Sequence, residues 1–240
     1  MSQTNPDLFD QENLALAAAR STFESDTASA AEYREALGEL INYYERLLRE
    51  MSRLIRRSDR EEFEMNQLNN RLNELASELE YRATHDALTN ALNRGAVIAK
   101  ANQIISTQGL AIIVLDIDFF KQVNDSFGHL AGDKVICGVV EAVERCLPES
   151  GLVGRVGGEE FTVLLQDCDY TEAFTIAERI RAEIEGWDFS LPQPRQITAS
   201  FGVSWTPAGA SFSIAYGAAD EALYKAKKSG RNRVMRADQL

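Results

Sequence analysis

Four short segments carry the side chains that could do chemistry. The first is Asp116-Ile117-Asp118, at the end of an all-apolar run over residues 110–115. Acids that leave a buried strand sit at a sheet edge. Hard cations such as Mg²⁺ take carboxylate oxygens there and share them with phosphates. The plainer reading is a strand-end acid that caps the next helix. The second is Gly157-Gly158-Glu159-Glu160-Phe161. Two glycines admit torsions and close approaches that a Cβ forbids. Adjacent carboxylates at a tight turn repel unless a metal or a protein base lies beside them. Taken alone, the segment also fits a solvated acidic turn.

The third segment runs from Lys121 through Asn124, Asp125 and His129 to Asp133. An amide offers a donor and an acceptor, and a carboxylate accepts from the N1–H and N2–H₂ of guanine. Lys121 offers a point charge to phosphate. His129, taken alone, reads as a structural histidine. The fourth is the basic cluster Lys225, Lys227, Lys228, Arg231 and Arg233. Cations favour a helix C-terminus, and Gly230 is a helix stop. That accounts for some of the lysines, whereas triphosphate binding accounts for the whole group.

These segments need a scaffold. Residues 110–115 fit a buried strand. Residues 152–156 and 161–165 flank the Gly-Gly turn as a hairpin, and residues 197–205 form another strand. Helical patterns cover about residues 130–147, 170–186 and 212–228. Strands alternating with helices, plus one hairpin, imply an α/β or α+β layer of sheet covered by helices.

Residues 1–83 differ in composition: they contain no Lys and are rich in Glu, Arg and Leu. A short helix is expected near residues 12–22. Ser29 with Glu32 has capping-box spacing. Leu37, Ile41, Tyr44, Leu48, Met51 and Ile55 then recur at alternating four and three, the seam of a coiled coil. Met65, Leu68, Leu72, Leu75 and Leu79 form a second stripe that no single register joins fully to the first. Between them, residues 56–62 are polar, and Ser58 with Glu61 repeats the capping-box spacing. This favours a break or kink near Ser58 over one helix with a register shift.

Composition excludes several classes. The chain has 240 residues, 45% hydrophobic and 26% charged, which is not the balance of a disordered protein. Lys+Arg 25 against Asp+Glu 37 gives a net charge of −12. So acidic a surface opposes general nucleic-acid binding, though a local site can still take a nucleotide. No apolar run approaches the roughly 20 residues of a membrane span, and the polar start is unlike a signal peptide. Cys137, Cys146 and Cys168 have no metal-type spacing and read as buried free thiols of a cytoplasmic protein.

Gly157-Gly158-Glu159-Glu160-Phe161 resembles the hallmark of the GGDEF family of diguanylate cyclases, in its GGEEF form. Four blocks stand in that family's order: His85-Asp86 with Leu88-Thr89 and Asn93-Arg94; Asp116 through Asp133; Arg155 through Phe161; and Ala226 through Asn232. The resemblance covers about residues 84–238. It implies a ferredoxin-like, polymerase-palm-related α+β domain over residues 84–240, behind a dimerising and regulatory helical stalk over residues 1–83. It implies condensation of two GTP into cyclic di-GMP and two pyrophosphates across a homodimer. Asp116, Glu159 and the Ile117 carbonyl would hold Mg²⁺ or Mn²⁺. Glu159 would also accept the 3′-hydroxyl proton, with Glu160 as a second carboxylate. Asn124 and Asp133 would read guanine, while Phe120, Lys121, Lys227 and Arg231 approach the phosphates and His129 stands with the substrate-binding group. The stalk is similar to that of SiaD-type cyclases, which implies a small SiaC-like regulatory protein on the N-terminal helices. A silent GTP- or cyclic-di-GMP-binding effector, or a scaffold that docks a partner, is the alternative. Two positions depart from the family. Pro148-Glu149-Ser150-Gly151 lacks the Arg and Asp of the product-inhibition site, and Asn90 replaces a common turn Gly.

Overall fold

The computed structural model describes residues 10–239; the polar start, residues 1–9, lies outside them. The chain divides into two compact units between Leu75 and Ala76. The first contains helix α1 (Asp10–Glu24) and most of helix α2 (Ala30–Thr84). The capping box forms as its spacing requires: Ser29 N–H donates to Glu32 Oε2 at 2.6 Å, and Glu32 N–H to Ser29 Oγ at 3.4 Å.

The expected break near Ser58 is absent, because α2 is unbroken from Ala30 to Thr84. Glu61 does not cap Ser58. It accepts from Arg57 Nε at 2.7 Å, a bond one helical turn long. Arg and Glu are good helix formers, and such i, i+4 pairs favour a continuous helix. No residue of α2 is buried, so both stripes are exposed along the single chain.

The second unit is built on a six-stranded sheet in the order β1-β3-β4-β2-β5-β6. Its strands are β1 (Leu92–Asn93), β2 (Leu110–Ile117), β3 (Gly151–Arg155), β4 (Glu160–Gln166), β5 (Ala199–Thr206) and β6 (Val234–Arg236). Central β2 is antiparallel to both β4 and β5 and is buried throughout, as its unbroken apolar run demands. Helices α4 (Phe120–Phe127) and α5 (His129–Cys146) follow β2, and α6 (Tyr170–Gly186) joins β4 to β5. The order β2-α4α5-β3-β4-α6-β5 is the βαββαβ plan of a ferredoxin-like domain.

Alternation along β2 sorts the core into two layers. Ile113, Leu115 and Ile117 pack with Val135, Val139 and Ile180 on one face. Ile112 and Val114 pack with Ala101, Ile105 and Leu223 on the other. The second face is covered by α3 (Arg94–Ile105) and α7 (Phe212–Lys228). All three cysteines are free; Cys146 and Cys168 are buried as expected, but Cys137 is only half-buried. Among the described residues no helix is long and apolar enough to cross a membrane.

Candidate functional site

The carboxyl end of β2, the β3–β4 turn, the start of α4 and the end of α7 meet at one edge of the sheet. Asp116 is the next-to-last residue of β2 and lies opposite Glu160 in the ladder. Its carboxylate is 8% exposed, and Lys227 Nζ approaches Oδ1 to 2.8 Å. Burial pushes the Asp116 carboxyl above its usual range; Lys227 opposes the rise, and the charges of Glu160 and Asp118 add to it. Glu159 is half-buried at the turn, and its carbonyl accepts from Ile117 N–H at 3.3 Å. Burial also raises the Glu159 carboxyl, followed by the charge of Asp116. Buried acids that repel one another around a single lysine form a site that favours a further cation.

The two turn glycines differ in surroundings. Neither has a positive φ, so the torsional freedom expected of the pair is not used. A Cβ on Gly157 would stand 2.6 Å from Oε2 of the exposed Glu160, a side chain free to swing aside, and one on Gly158 would meet open space. Arg155 holds this turn. Its Nε donates to the carbonyls of Gly157 and Gly158 at 3.2 Å each, and Nη2 donates to Gly158 at 2.8 Å. Nη1 reaches back to Asp86 Oδ1 at 3.1 Å.

Asn124 and Asp133 lie on the paired helices α4 and α5. Asn124 Oδ1 is buried with no hydrogen-bond partner. A Cβ on Gly132 would stand 2.0 Å from that atom, so only glycine lets the amide lie against α5. Asp133 follows directly and is half-buried. An acceptor or amide kept unpaired at this depth suits a ligand that supplies the missing partner.

The phosphate group of residues is split. Lys227 is drawn to Asp116, as above. Arg231 stacks its guanidinium 4.3 Å over the ring of Phe119. The Phe120 side chain is 6% exposed and belongs to the core, so only its backbone can face a ligand. Phe119 is the exposed ring, held at φ +56° as the N-cap of α4. Sequence reasoning missed Phe119, for which a run of two Phe carries no discriminating signal. Lys121 and His129 are exposed, one on α4 and the other at the start of α5. Asn90 takes φ +60°, the turn geometry for which the family uses Gly.

Comparison with known proteins identifies the family of the domain that carries this site. The profile of the family described as "Diguanylate cyclase, GGDEF domain" matches residues 83–233. Diguanylate cyclase DgcM of Escherichia coli K12 is 36% identical over 169 residues, which are 68% of this chain and 40% of DgcM. Probable diguanylate cyclase DgcT of the same strain is 40% identical over 163 residues, 65% of this chain and 36% of DgcT. The chain thus spans well under half the length of these curated relatives. Among solved structures, the coiled coil and GGDEF domain of DgcB from Caulobacter crescentus, in complex with c-di-GMP, superimposes with TM-score 0.68 at 30% identity. It covers 72% of this chain and 95% of that one. SiaD from Pseudomonas aeruginosa, in complex with its activator SiaC, gives TM-score 0.63 at 30% identity, over 94% of this chain and 84% of SiaD. The chain belongs to the GGDEF-domain family of diguanylate cyclases.

Proposed function

We propose that the protein condenses two GTP into cyclic di-GMP and two pyrophosphates. The observation that carries this reading is the meeting of Asp116, Glu159 and Lys227 at the β2 edge. In each half-reaction a 3′-hydroxyl oxygen bonds to an α-phosphorus, the bond to the β-phosphate bridging oxygen breaks, and pyrophosphate leaves. The hydroxyl proton passes to the Glu159 carboxylate, which stands at the turn beside Asp116.

Among the described residues no three His, Cys, Asp or Glu side chains form a metal-type cluster. By resemblance to the family, Asp116, Glu159 and the Ile117 carbonyl would hold Mg²⁺ or Mn²⁺. Phosphate and water oxygens would complete the donor set, as is usual for Mg²⁺. The bound ion supplies charge neutralisation at the phosphates. Asn124 and Asp133 orient guanine. Lys121, Lys227 and Arg231 hold the phosphates, Glu160 reinforces the carboxylate field, and His129 borders the substrate.

One site holds one GTP, so cyclisation needs two domains face to face. The exposed seams of α2 supply a homodimer, which raises the local concentration of the second domain. The first unit also carries an apolar groove of about 480 Å³, lined by Leu16 of α1 with Leu40, Ile41, Tyr43, Tyr44 and Leu47 of α2. By analogy with SiaD, this end of the stalk receives a small SiaC-like regulator that sets activity. GTP as substrate places the reaction in the cytoplasm.

The test is incubation of purified protein with GTP and Mg²⁺, with and without co-purified stalk partners, beside Glu159→Ala. Cyclic di-GMP from wild type and none from the variant is the expected result. Absence of GTP binding by wild type under every condition overturns the reading.

A further inference from the structure

Asp118 has no place in the metal, base or guanine sets, yet it is 5% exposed and all its bonds are specific. Oδ1 accepts from Ser200 Oγ at 2.7 Å. Oδ2 accepts from Thr198 Oγ1 at 2.7 Å and from the backbone N–H of Asn232 at 3.0 Å. Its own N–H donates to the Thr198 carbonyl at 2.8 Å. One carboxylate therefore ties the end of β2 to the entry of β5 and to the turn after α7.

That turn is unusual. Arg231 and Asn232 are consecutive non-glycine residues at φ +62° and +44°. L-residues resist this region, and two in succession persist only where the surroundings over-determine them. The Asp118 bond to Asn232 N–H is one constraint. The Asn232 side chain is another: Nδ2 donates to Glu185 at 2.9 Å, and Oδ1 accepts from Arg181 at 3.1 Å. The consequence appears one residue away on each segment of chain. Phe119 follows Asp118, Arg231 precedes Asn232, and the guanidinium of Arg231 lies 4.3 Å over the Phe119 ring.

We propose that Asp118 is a positioning residue for triphosphate binding: by holding Asn232 N–H it sets the left-handed turn that aims Arg231 across Phe119 at the phosphates. The proposal rests on the GTP reading for its ligand, but its structural half stands without nucleotide. Asp118 touches no substrate. It fixes where a cation stands before substrate arrives, so its effect falls on the phosphates and spares the guanine.

The experiment uses the full chain with Asp118→Ala, Asp118→Asn, Ser200→Ala and Arg231→Ala. Without nucleotide, exchange of the Asn232 amide should accelerate in Asp118→Ala. It should stay slow in Asp118→Asn, which keeps an acceptor oxygen, and in Ser200→Ala, which leaves that bond intact. With Mg²⁺, affinity for a non-hydrolysable GTP analogue should fall about tenfold in Asp118→Ala, the size of one charge-assisted hydrogen bond. GMP affinity should be unchanged. The Asp118→Ala and Arg231→Ala losses should not add, because both act through one guanidinium. An unchanged Asn232 amide, additive losses, or equal loss of GMP would each overturn the proposal. Should Asp118→Ala not fold, Asp118→Ser, too short to hold Asn232 N–H, takes its place in the same cycle with Arg231→Ala. Failure of wild type to bind GTP would count against the enzymatic reading, while the amide measurement still judges the turn.

Discussion

Lys227 Nζ lies 2.8 Å from Asp116 Oδ1, so the lysine expected at the phosphates is paired with the carboxylate expected at the metal. A single cation thus neutralises the acids before any ligand enters. On the proposed reading, a divalent ion arriving with the phosphates would take over the carboxylates and free the lysine for phosphate. Removal of Lys227 should therefore separate two affinities. In Lys227→Ala, Mn²⁺ should bind several-fold more tightly without nucleotide, because a competing cation is gone. GTP turnover should fall by roughly a hundredfold or more, as for loss of a positioned transition-state charge. Mn²⁺ titration by electron paramagnetic resonance, beside turnover assays, would show both; weaker Mn²⁺ binding would contradict the exchange.

Glu159 is an acid whose surroundings oppose its charge. Burial and then Asp116 raise its carboxyl pKa in the folded protein. The native state therefore binds the proton more tightly than the unfolded chain does. Stability falls as pH rises from the ordinary carboxyl range to the raised value. Glu159→Gln removes that charge. In metal-free buffer the variant should melt about 2–4 °C higher at neutral pH, equivalent to about 1 kcal/mol for a chain of this size. The gain should vanish below the usual Glu range, where wild type is neutral in both states. The same variant should make no cyclic di-GMP. Melting curves across pH decide the point, and a gain that persists in acid would refute it.

The Asp86–Arg155 pair links the turn after α2 to the turn that carries Glu159. Burial alone would raise the Asp86 carboxyl, but bonds from Thr89 and Arg155 outweigh it and hold the pKa low. Its contribution is therefore present above the unfolded carboxyl pKa and lost as pH falls through the lower folded value. Asp86→Ala should cost about 2 kcal/mol, the range for hydrogen bonds to a charged group. Arg155→Lys should be nearly as harmful to turnover, because one ammonium cannot span Asp86 and both glycine carbonyls. Both variants should bind GTP yet turn over slowly, and a double-mutant cycle should show strong coupling.

Much of this was legible in residue order. The apolar run before Asp116 required a buried strand, and Gly-Gly between β-rich segments required a hairpin; both stand where expected. What escaped depends on contacts between distant segments. Helix α3 has a weak amphipathic pattern, and its start is fixed by a cap that also makes a distant contact: Asn93 caps it while its amide donates to the Ala83 carbonyl. The choice between Phe119 and Phe120 turns on one left-handed φ, invisible in two identical residues. Asp118 looked like half of a metal pair, and only the fold shows three donors from β5 and the α7 turn around it. The polar run at Ser58 looked like a boundary because capping boxes and i, i+4 ion pairs draw on the same residue types.

Pro148 through Gly151 stand where family members with product inhibition carry an Arg and an Asp. Gly151 N–H donates to the Pro148 carbonyl at 2.9 Å, closing a tight turn with no cation on it. Cyclic di-GMP should therefore leave initial rates unchanged at concentrations that saturate an intact inhibitory site. Restoring the pair with Pro148→Arg and Gly151→Asp should introduce inhibition. Calorimetry with cyclic di-GMP would detect any binding at this turn in the unaltered protein.

On the proposed reading of a regulatory stalk, the unbroken α2 would put control in its seam rather than in a hinge. Continued from Ile55, the four-three alternation reaches Ser58, Glu62 and Met65. Two polar residues thus occupy seam positions in the middle of a continuous helix. Such positions weaken a coiled coil and leave its register open to change. Ser58→Leu with Glu62→Leu should close the seam. Each buried Leu contributes roughly 1.5–3 kcal/mol, so the dimer should tighten by at least tenfold. Helix content by circular dichroism should not change, since no break exists to repair. Below the wild-type dimer dissociation constant, partner-free activity should rise, and any stimulation by a stalk-binding partner should shrink. A tighter dimer with unaltered activity and stimulation would show that register at this point does not govern the enzyme.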